Sequence, residues 1–220
     1  MIARMVRIVT AGMVAGALVL GLGISDSPSV IWKLALVSIL GGTLASLVVL
    51  GGDKSVGRPR CVEHAWQLRE AIRQREPRLT LGGWANPYGN PVQQADFLED
   101  PTFTAEFFLT QIVNHLRPEP VAAFLGECAR RNITLPGIFG VFYYRSPNRK
   151  TLETLSRFLP VPVDALAAEF AAGSTAIDIC ARTIREMRRL GVRHFYISNL
   201  PVTGTAATLE QILARAAAEA

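Results

Sequence analysis

From residue 43 onward, short apolar runs alternate with longer stretches in which apolar residues recur every three to four positions. The short runs are typical of buried strands, and the longer stretches are typical of helices. The predicted strands are Leu47–Leu50, Leu79–Trp84, Phe107–Val113, Leu135–Phe142 and His194–Asn199. The predicted helices are Cys61–Arg75, Val92–Leu98, Pro118–Arg131, Ser146–Phe158, Val163–Phe170, Ser174–Leu190 and Ala206–Ala218.

This alternation with short connections predicts an α/β fold with a parallel sheet and right-handed crossovers. The strands fit an incomplete (β/α)8 TIM barrel, with about six of its eight strands present, better than a doubly wound sheet. The sequence has no GxGxxG at a strand-to-helix turn, which argues against a dinucleotide-binding Rossmann domain. It also has no P-loop and no HExxH metal motif.

The N-terminal residues differ in character from the rest, so we divide the chain into a hydrophobic segment, 1–42, and a barrel domain, 43–220. The apolar stretches Ile8–Ile24 and Val30–Gly52 are each near the length that spans a bilayer. Basic residues flank the pair on its outer sides, which predicts a membrane hairpin over residues 8–52 with the barrel in the cytoplasm. The competing interpretation takes Leu18–Ile24 as a buried sixth strand of a cytoplasmic barrel. Both interpretations stay open.

The net charge of +5 is mildly basic, and the Lys and Arg residues are scattered. The densest group, Arg69, Arg73, Arg75 and Arg78, is interrupted by acidic residues and predicts a solvated helix face rather than a nucleic-acid site. No nucleic-acid partner is therefore expected.

The three cysteines, Cys61, Cys128 and Cys180, are widely spaced and form no CxxC pair. This usage predicts neither a disulfide framework nor a zinc site, and we expect no bound metal. Cys128 and Cys180 fall in helical patterns and should be small buried side chains.

In a barrel of this kind, reactive groups sit where the strands end. The strand ends here are rich in amide and aromatic side chains, which suit a flat, hydrogen-bonding heteroaromatic ligand. They are Asp53, Trp84, Asn86, Tyr88, Gln111, Asn114, His115, Tyr143, Tyr144, Tyr196 and Asn199.

Several segments resemble the methylenetetrahydrofolate reductase family, in order and spacing, over about residues 43–212. They are Leu47–Asp53 (LVVLGGD), Leu109–Gln111 (LTQ), Leu135–Val141 (LPGIFGV), Ala176–Cys180 (AIDIC) and His194–Asn199 (HFYISN). The resemblance implies reduction of a methylene-tetrahydrofolate. It also implies that Asp53 contacts the pterin as the catalytic residue, and that Gln111, Tyr144 and Tyr196 bind the substrate.

The sequence departs from the family's flavin-binding members around the second predicted strand. Trp84 and Tyr88 stand where those members carry a Tyr and a His, and with Asn86 they form the expected cofactor-binding group. These departures resemble the flavin-independent branch, which implies NADH or NADPH as reductant, with FAD as an alternative cofactor.

The family's first strand and its catalytic Glu have no match in this sequence. Two hypotheses follow. One is a working reductase of reduced folate, which could assemble as a homo-oligomer. The other is a folate-binding barrel remnant without turnover. This remnant could be tethered to a membrane through residues 8–52, or it could have no tether.

Overall fold

A computed structural model of the chain describes residues 46–48 and 64–218. The strands in this part are β1 (Ser46–Val48), β2 (Thr80–Ala85), β3 (Phe107–Val113), β4 (Gly137–Phe142) and β5 (His194–Ser198). The helices are α1 (Ala65–Arg75), α2 (Pro91–Glu99), α3 (Glu119–Arg130), α4 (Arg149–Ser156), α5 (Val163–Ala171), α6 (Ala176–Arg189) and α7 (Thr205–Ala217).

The five strands form one parallel sheet in which they neighbour each other in chain order. Leu47 of β1 is opposite Leu81 of β2, and Val141 of β4 is opposite Ile197 of β5. Helices connect the strands, as parallel pairing requires. The predicted fold class, an incomplete (β/α)8 barrel, is confirmed. The predicted sixth strand and the alternative membrane hairpin lie outside the described residues, apart from 46–48 at the end of the hairpin.

By its contacts the chain divides into two units, Met1–Gly83 with Thr104–Glu106, and Trp84–Phe103 with Phe107–Ala220. In the first unit, the carboxylate of Glu106 lies 2.5 Å from the Arg73 guanidinium and accepts the Leu81 backbone N–H at 2.7 Å. Arg69 of α1 is buried, and burial lowers the pKa of its guanidinium. The prediction of a solvated arginine face was therefore wrong for Arg69, because this side chain turns inward on the helix.

The second unit has its apolar core in three clusters of buried side chains. Phe108, Phe124 and Phe139 lie at the centre of the first, with ring centroids 6.0 to 6.5 Å apart. Cys128 and Cys180 are free cysteines, and both side chains are buried, as predicted. Burial raises the pKa of the Cys180 thiol to about 12, which makes it a poor nucleophile at neutral pH.

The structure shortens several predicted elements for identifiable local reasons. Strand β4 begins at Gly137 rather than Leu135, after Pro136, which has no N–H for a ladder. Helix α4 begins at Arg149 because the Asn148 side chain caps it by accepting the Thr151 backbone N–H at 3.3 Å. Within the described part of the chain, no helix combines the length and hydropathy needed to cross a membrane.

Candidate functional site

A break in the ladder between β3 and β4 lies at Thr110 and Gln111, where the register shifts. Three side chains take over main-chain hydrogen bonds there. The Thr110 hydroxyl oxygen accepts the Gly140 N–H at 3.1 Å, and Gln111 Oε1 accepts the Ile112 N–H at 2.9 Å. The Tyr196 hydroxyl donates to the Thr110 carbonyl oxygen at 2.7 Å. Irregularities of this kind occur often beside active sites, where they redirect side chains.

Gln111 and Tyr196, two predicted substrate-binding residues, therefore both lie at this break, and each has one polar group engaged with the main chain. Burial raises the pKa of the Tyr196 hydroxyl, so it is a neutral donor. Gln111 is half-buried, and its amide nitrogen takes no part in these bonds. Contact of either residue with a substrate stays a prediction.

Tyr88 and Asn114 link the ends of β2 and β3. The Tyr88 hydroxyl oxygen accepts the Asn114 backbone N–H at 3.2 Å and its side-chain Nδ2–H at 3.3 Å. Asn114 is only 1% exposed. Its Nδ2 also donates to the Pro160 carbonyl at 3.2 Å, and its Oδ1 accepts the Leu116 N–H at 3.1 Å. The Asn114 amide can satisfy all these partners in only one orientation, so it holds the Tyr88 hydroxyl in one place.

Tyr144 follows β4 and is only 4% exposed, in a cluster with Leu152, Leu166 and Ile179. Its hydroxyl has no hydrogen-bond partner among the described residues. Burial raises the pKa of this hydroxyl, and the nearby Tyr88 raises it further. The predicted residues Tyr88 and Tyr144 thus follow β2 and β4, on either side of β3 in the sheet, and Tyr144 presents no ring face to solvent.

The other two predicted cofactor-binding residues are Trp84, which lies near the end of β2, and Asn86, which begins the turn after it. Asn86 Oδ1 accepts the Tyr88 N–H at 3.1 Å, and Gln94 Oε1 accepts the Asn86 N–H at 2.7 Å. Trp84 is 36% exposed. Asn86 therefore shapes the turn that carries Tyr88. A cofactor contact by Trp84, Asn86 or Tyr88 stays a prediction, as does the catalytic role of Asp53, which lies outside the described residues.

No protein-family model and no curated protein sequence matches this chain. The fold resembles a solved structure. It is an uncharacterized protein from Clostridium thermocellum that binds two copies of 5-methyl-5,6,7,8-tetrahydrofolic acid. The match has a TM-score of 0.50 and 19% identity, over 78% of this chain.

The chain spans 61% of the length of that protein, and at this identity the likeness establishes a shared fold alone. Two structures of the carboxyl transferase domain of Rhizobium etli pyruvate carboxylase, one a Y628A variant, also align. Their TM-scores are 0.34 and 0.35, their identities are 13% and 12%, and each match covers 69% of this chain and 28% of the other. These values are too low to bear on function.

A partly buried ionisable network begins at His115, directly after β3. The His115 side chain is 7% exposed, and its Nε2 lies 2.8 Å from the Glu169 carboxylate of α5. Its Nδ1 lies 2.8 Å from the Thr183 hydroxyl, which donates to the Ile179 carbonyl and so presents a lone pair to the ring. Both ring nitrogens face acceptors. Arg182 of α6 binds the same Glu169 oxygen. This network joins the β3 end to α5 and α6.

We expect Glu169→Gln to lower the free energy of unfolding by about 1–2 kcal/mol, because the His115 and Arg182 donors lose a charged acceptor. The measurement is a urea unfolding curve for each protein. Glu153→Gln is the matched control, since Glu153 forms an exposed ion pair with Arg149 worth about 0–0.5 kcal/mol. Equal losses in the two variants would show that the network contributes no more than a surface pair.

Two arginines after the strand ends, Arg145 and Arg117, had no predicted role. The Arg145 guanidinium donates to the Asn199 carbonyl at 2.8 Å, and Asn199 Nδ2 donates to the Tyr143 carbonyl at 2.9 Å, which ties the ends of β4 and β5. The Arg117 guanidinium lies 5.1 Å from the Tyr88 ring centroid.

The described residues contain no group of three or more His, Cys, Asp or Glu that could hold a metal ion.

Proposed function

We propose that this chain binds a reduced folate at the C-terminal ends of β2, β3 and β4. The supporting observation is the set of aromatic and amide side chains held there, with Asn114 fixing the Tyr88 hydroxyl across the ends of β2 and β3, and Tyr144 following β4. Strand ends of this type are where barrels bind ligands. The fold likeness to a protein that binds 5-methyltetrahydrofolate agrees with this ligand class.

The finer proposal is reduction of methylene-tetrahydrofolate by NADH or NADPH. The reaction adds a hydride to the bridging methylene carbon and a proton to the nitrogen it leaves, giving the N-methyl product and oxidised nicotinamide. Asp53, which the family resemblance implies is catalytic, is the residue we assign to the pterin in this reaction.

The second candidate is folate binding without turnover. One observation favours this second candidate. The described residues that directly follow β2, β3, β4 and β5 include no carboxylate that could supply the proton for the reduction. Turnover separates the two candidates. Loss of nicotinamide absorbance on adding methylene-tetrahydrofolate supports the reductase, and binding without that loss supports the second candidate.

The test of binding is a calorimetric titration of the full chain with 5-methyltetrahydrofolate. We expect wild type to bind and Asp53→Asn to bind about 10- to 100-fold more weakly, because a charge-assisted contact is worth about 1.5–3 kcal/mol. The melting temperature should be unchanged. Asp164→Asn is the control, since Asp164 is exposed and pairs with Arg149. Absence of wild-type binding would refute the proposed function, and equal affinities would remove Asp53 from the site.

A further inference from the structure

The guanidinium of Arg117 lies over the ring of Tyr88, at the C-terminal ends of β2 and β3. Its central carbon is 5.1 Å from the ring centroid. Arg117 is exposed, and its side chain makes no hydrogen bond and no ion pair with any described residue. A cation held over a ring by its charge spends none of its N–H donors on that contact, so all five stay available for another partner.

The ring below this cation is fixed at its hydroxyl end. The Tyr88 hydroxyl oxygen accepts both the backbone N–H and the Nδ2–H of Asn114, which is almost fully buried. Asn114 also shapes the turn that carries Arg117. Its Oδ1 accepts the Leu116 N–H at 3.1 Å, and its carbonyl accepts the Arg117 N–H at 3.4 Å. One buried residue therefore positions both the ring and the backbone of the arginine, which lowers the ordering cost of binding there.

Arg117 also has no acidic partner among the described residues. Burial raises the pKa of the Tyr88 hydroxyl, so the ring is neutral at neutral pH and leaves the arginine its full charge. The neighbouring Glu119 lies in the first turn of α3, where the helix N-terminus stabilises its carboxylate, and it forms no ion pair with Arg117. Other arginines of the second unit do bind carboxylates, among them Arg130, Arg131, Arg149 and Arg182.

We propose that Arg117 binds a carboxylate at the tail of the ligand that occupies the strand ends. The edge of a guanidinium matches a carboxylate with two parallel hydrogen bonds. The place suits a tail rather than a ring, because Arg117 is exposed whereas the hydroxyl of Tyr88 reaches the buried Asn114. A phosphate would make the same kind of contact, so the phosphates of a nicotinamide cofactor are the competing source of the anion.

This inference rests on the proposed function for the identity of the ligand, since a folate carries its carboxylates on a glutamate at the end opposite to the pterin. The contact with Arg117 predicts that this glutamate end contributes to affinity. Three compounds separate the parts of the ligand. They are 5-methyltetrahydrofolate, 5-methyltetrahydropterin, which lacks the glutamate end, and p-aminobenzoylglutamate, which lacks the pterin.

The experiment is a ligand-observed NMR titration of the full chain with these three compounds and with NADPH. Wild type is compared with Arg117→Gln, Arg117→Lys and the control Arg193→Gln. Arg193 is an exposed arginine directly before β5, at the opposite end of the sheet. We expect Arg117→Gln to bind 5-methyltetrahydrofolate about fivefold more weakly than wild type and to bind the pterin equally well. Arg117→Lys should lie between the two, because an ammonium keeps the charge but loses the planar fork.

The control should match wild type on every compound, and all variants should melt at the wild-type temperature, because both arginines are exposed. Unchanged affinity of Arg117→Gln for 5-methyltetrahydrofolate would overturn the inference. Equal losses on 5-methyltetrahydrofolate and the pterin would also overturn it, because the arginine would then act on the ring. A loss confined to NADPH would assign the arginine to the cofactor instead and reject the carboxylate.

Two outcomes separate this inference from the proposed function. Arg117-dependent binding of p-aminobenzoylglutamate, by a protein that binds neither 5-methyltetrahydrofolate nor the pterin, would refute folate binding and keep the carboxylate contact. A wild-type protein that binds the pterin and 5-methyltetrahydrofolate with equal affinity would keep folate binding and refute the contact. Wild type that binds none of the compounds would overturn both.

Discussion

Asn114→Ala is expected to lower the free energy of unfolding by about 2–4 kcal/mol. The substitution removes the side-chain bonds to Tyr88, Pro160 and Leu116 from a residue that is 1% exposed. It leaves a partly buried carbonyl and a partly buried N–H without their partner and opens a small cavity. Because the amide also holds the Tyr88 hydroxyl, the same variant should bind 5-methyltetrahydrofolate more weakly at a temperature where it is fully folded.

Chemical unfolding at equilibrium measures the first effect. Asn148→Ala is the matched control, because its side chain makes one exposed capping bond to the Thr151 N–H and is worth about 1 kcal/mol. Similar losses for the two alanine variants would mean that the buried amide contributes no more than an exposed cap.

Gly140→Ala should lower the free energy of unfolding by about 2–3 kcal/mol. A Cβ at this position would lie 2.5 Å from Cζ of Tyr196, inside contact distance. The ring cannot move aside without losing its hydrogen bond to the Thr110 carbonyl. The cost combines overpacking with the loss of a buried hydrogen bond at the break in β3.

Gly126→Ala is the matched control and should have the opposite sign. Gly126 lies within α3, and a Cβ there meets nothing within 4 Å. Alanine should therefore stabilise the protein by about 0.5–1 kcal/mol. Thermal melting of both variants tests the pair. A Gly140→Ala protein as stable as wild type would contradict the packing described around Tyr196.

The strand order was predictable because parallel strands buried on both faces have a strong apolar signal, and β3 was predicted with the bounds that it has. The break at Thr110 and Gln111 was not predictable. Two of its three stabilising bonds are made with Gly140 and Tyr196, which are distant in sequence. The pattern of apolar residues along the chain cannot predict a hydrogen bond between the Tyr196 hydroxyl and the Thr110 carbonyl, because these residues are 86 positions apart.

The candidate site was predictable in residue type but not in arrangement. The strand ends were expected to carry Tyr88, Asn114 and Tyr144, and all three lie there. The sequence could not show that Asn114 occupies both lone pairs of Tyr88, because that depends on the turn built by Asn86. Nor could it show that Tyr144 is buried, because consecutive residues after a strand alternate in direction and either tyrosine was a candidate for the pocket.

The most direct test of the central claim is a crystal structure of the full chain with bound 5-methyltetrahydrofolate. The account predicts the pterin ring at the C-terminal ends of β2, β3 and β4. A ligand bound instead in the small cleft lined by Asp178, Arg182, Arg185 and Arg215, with the strand ends empty, would contradict it.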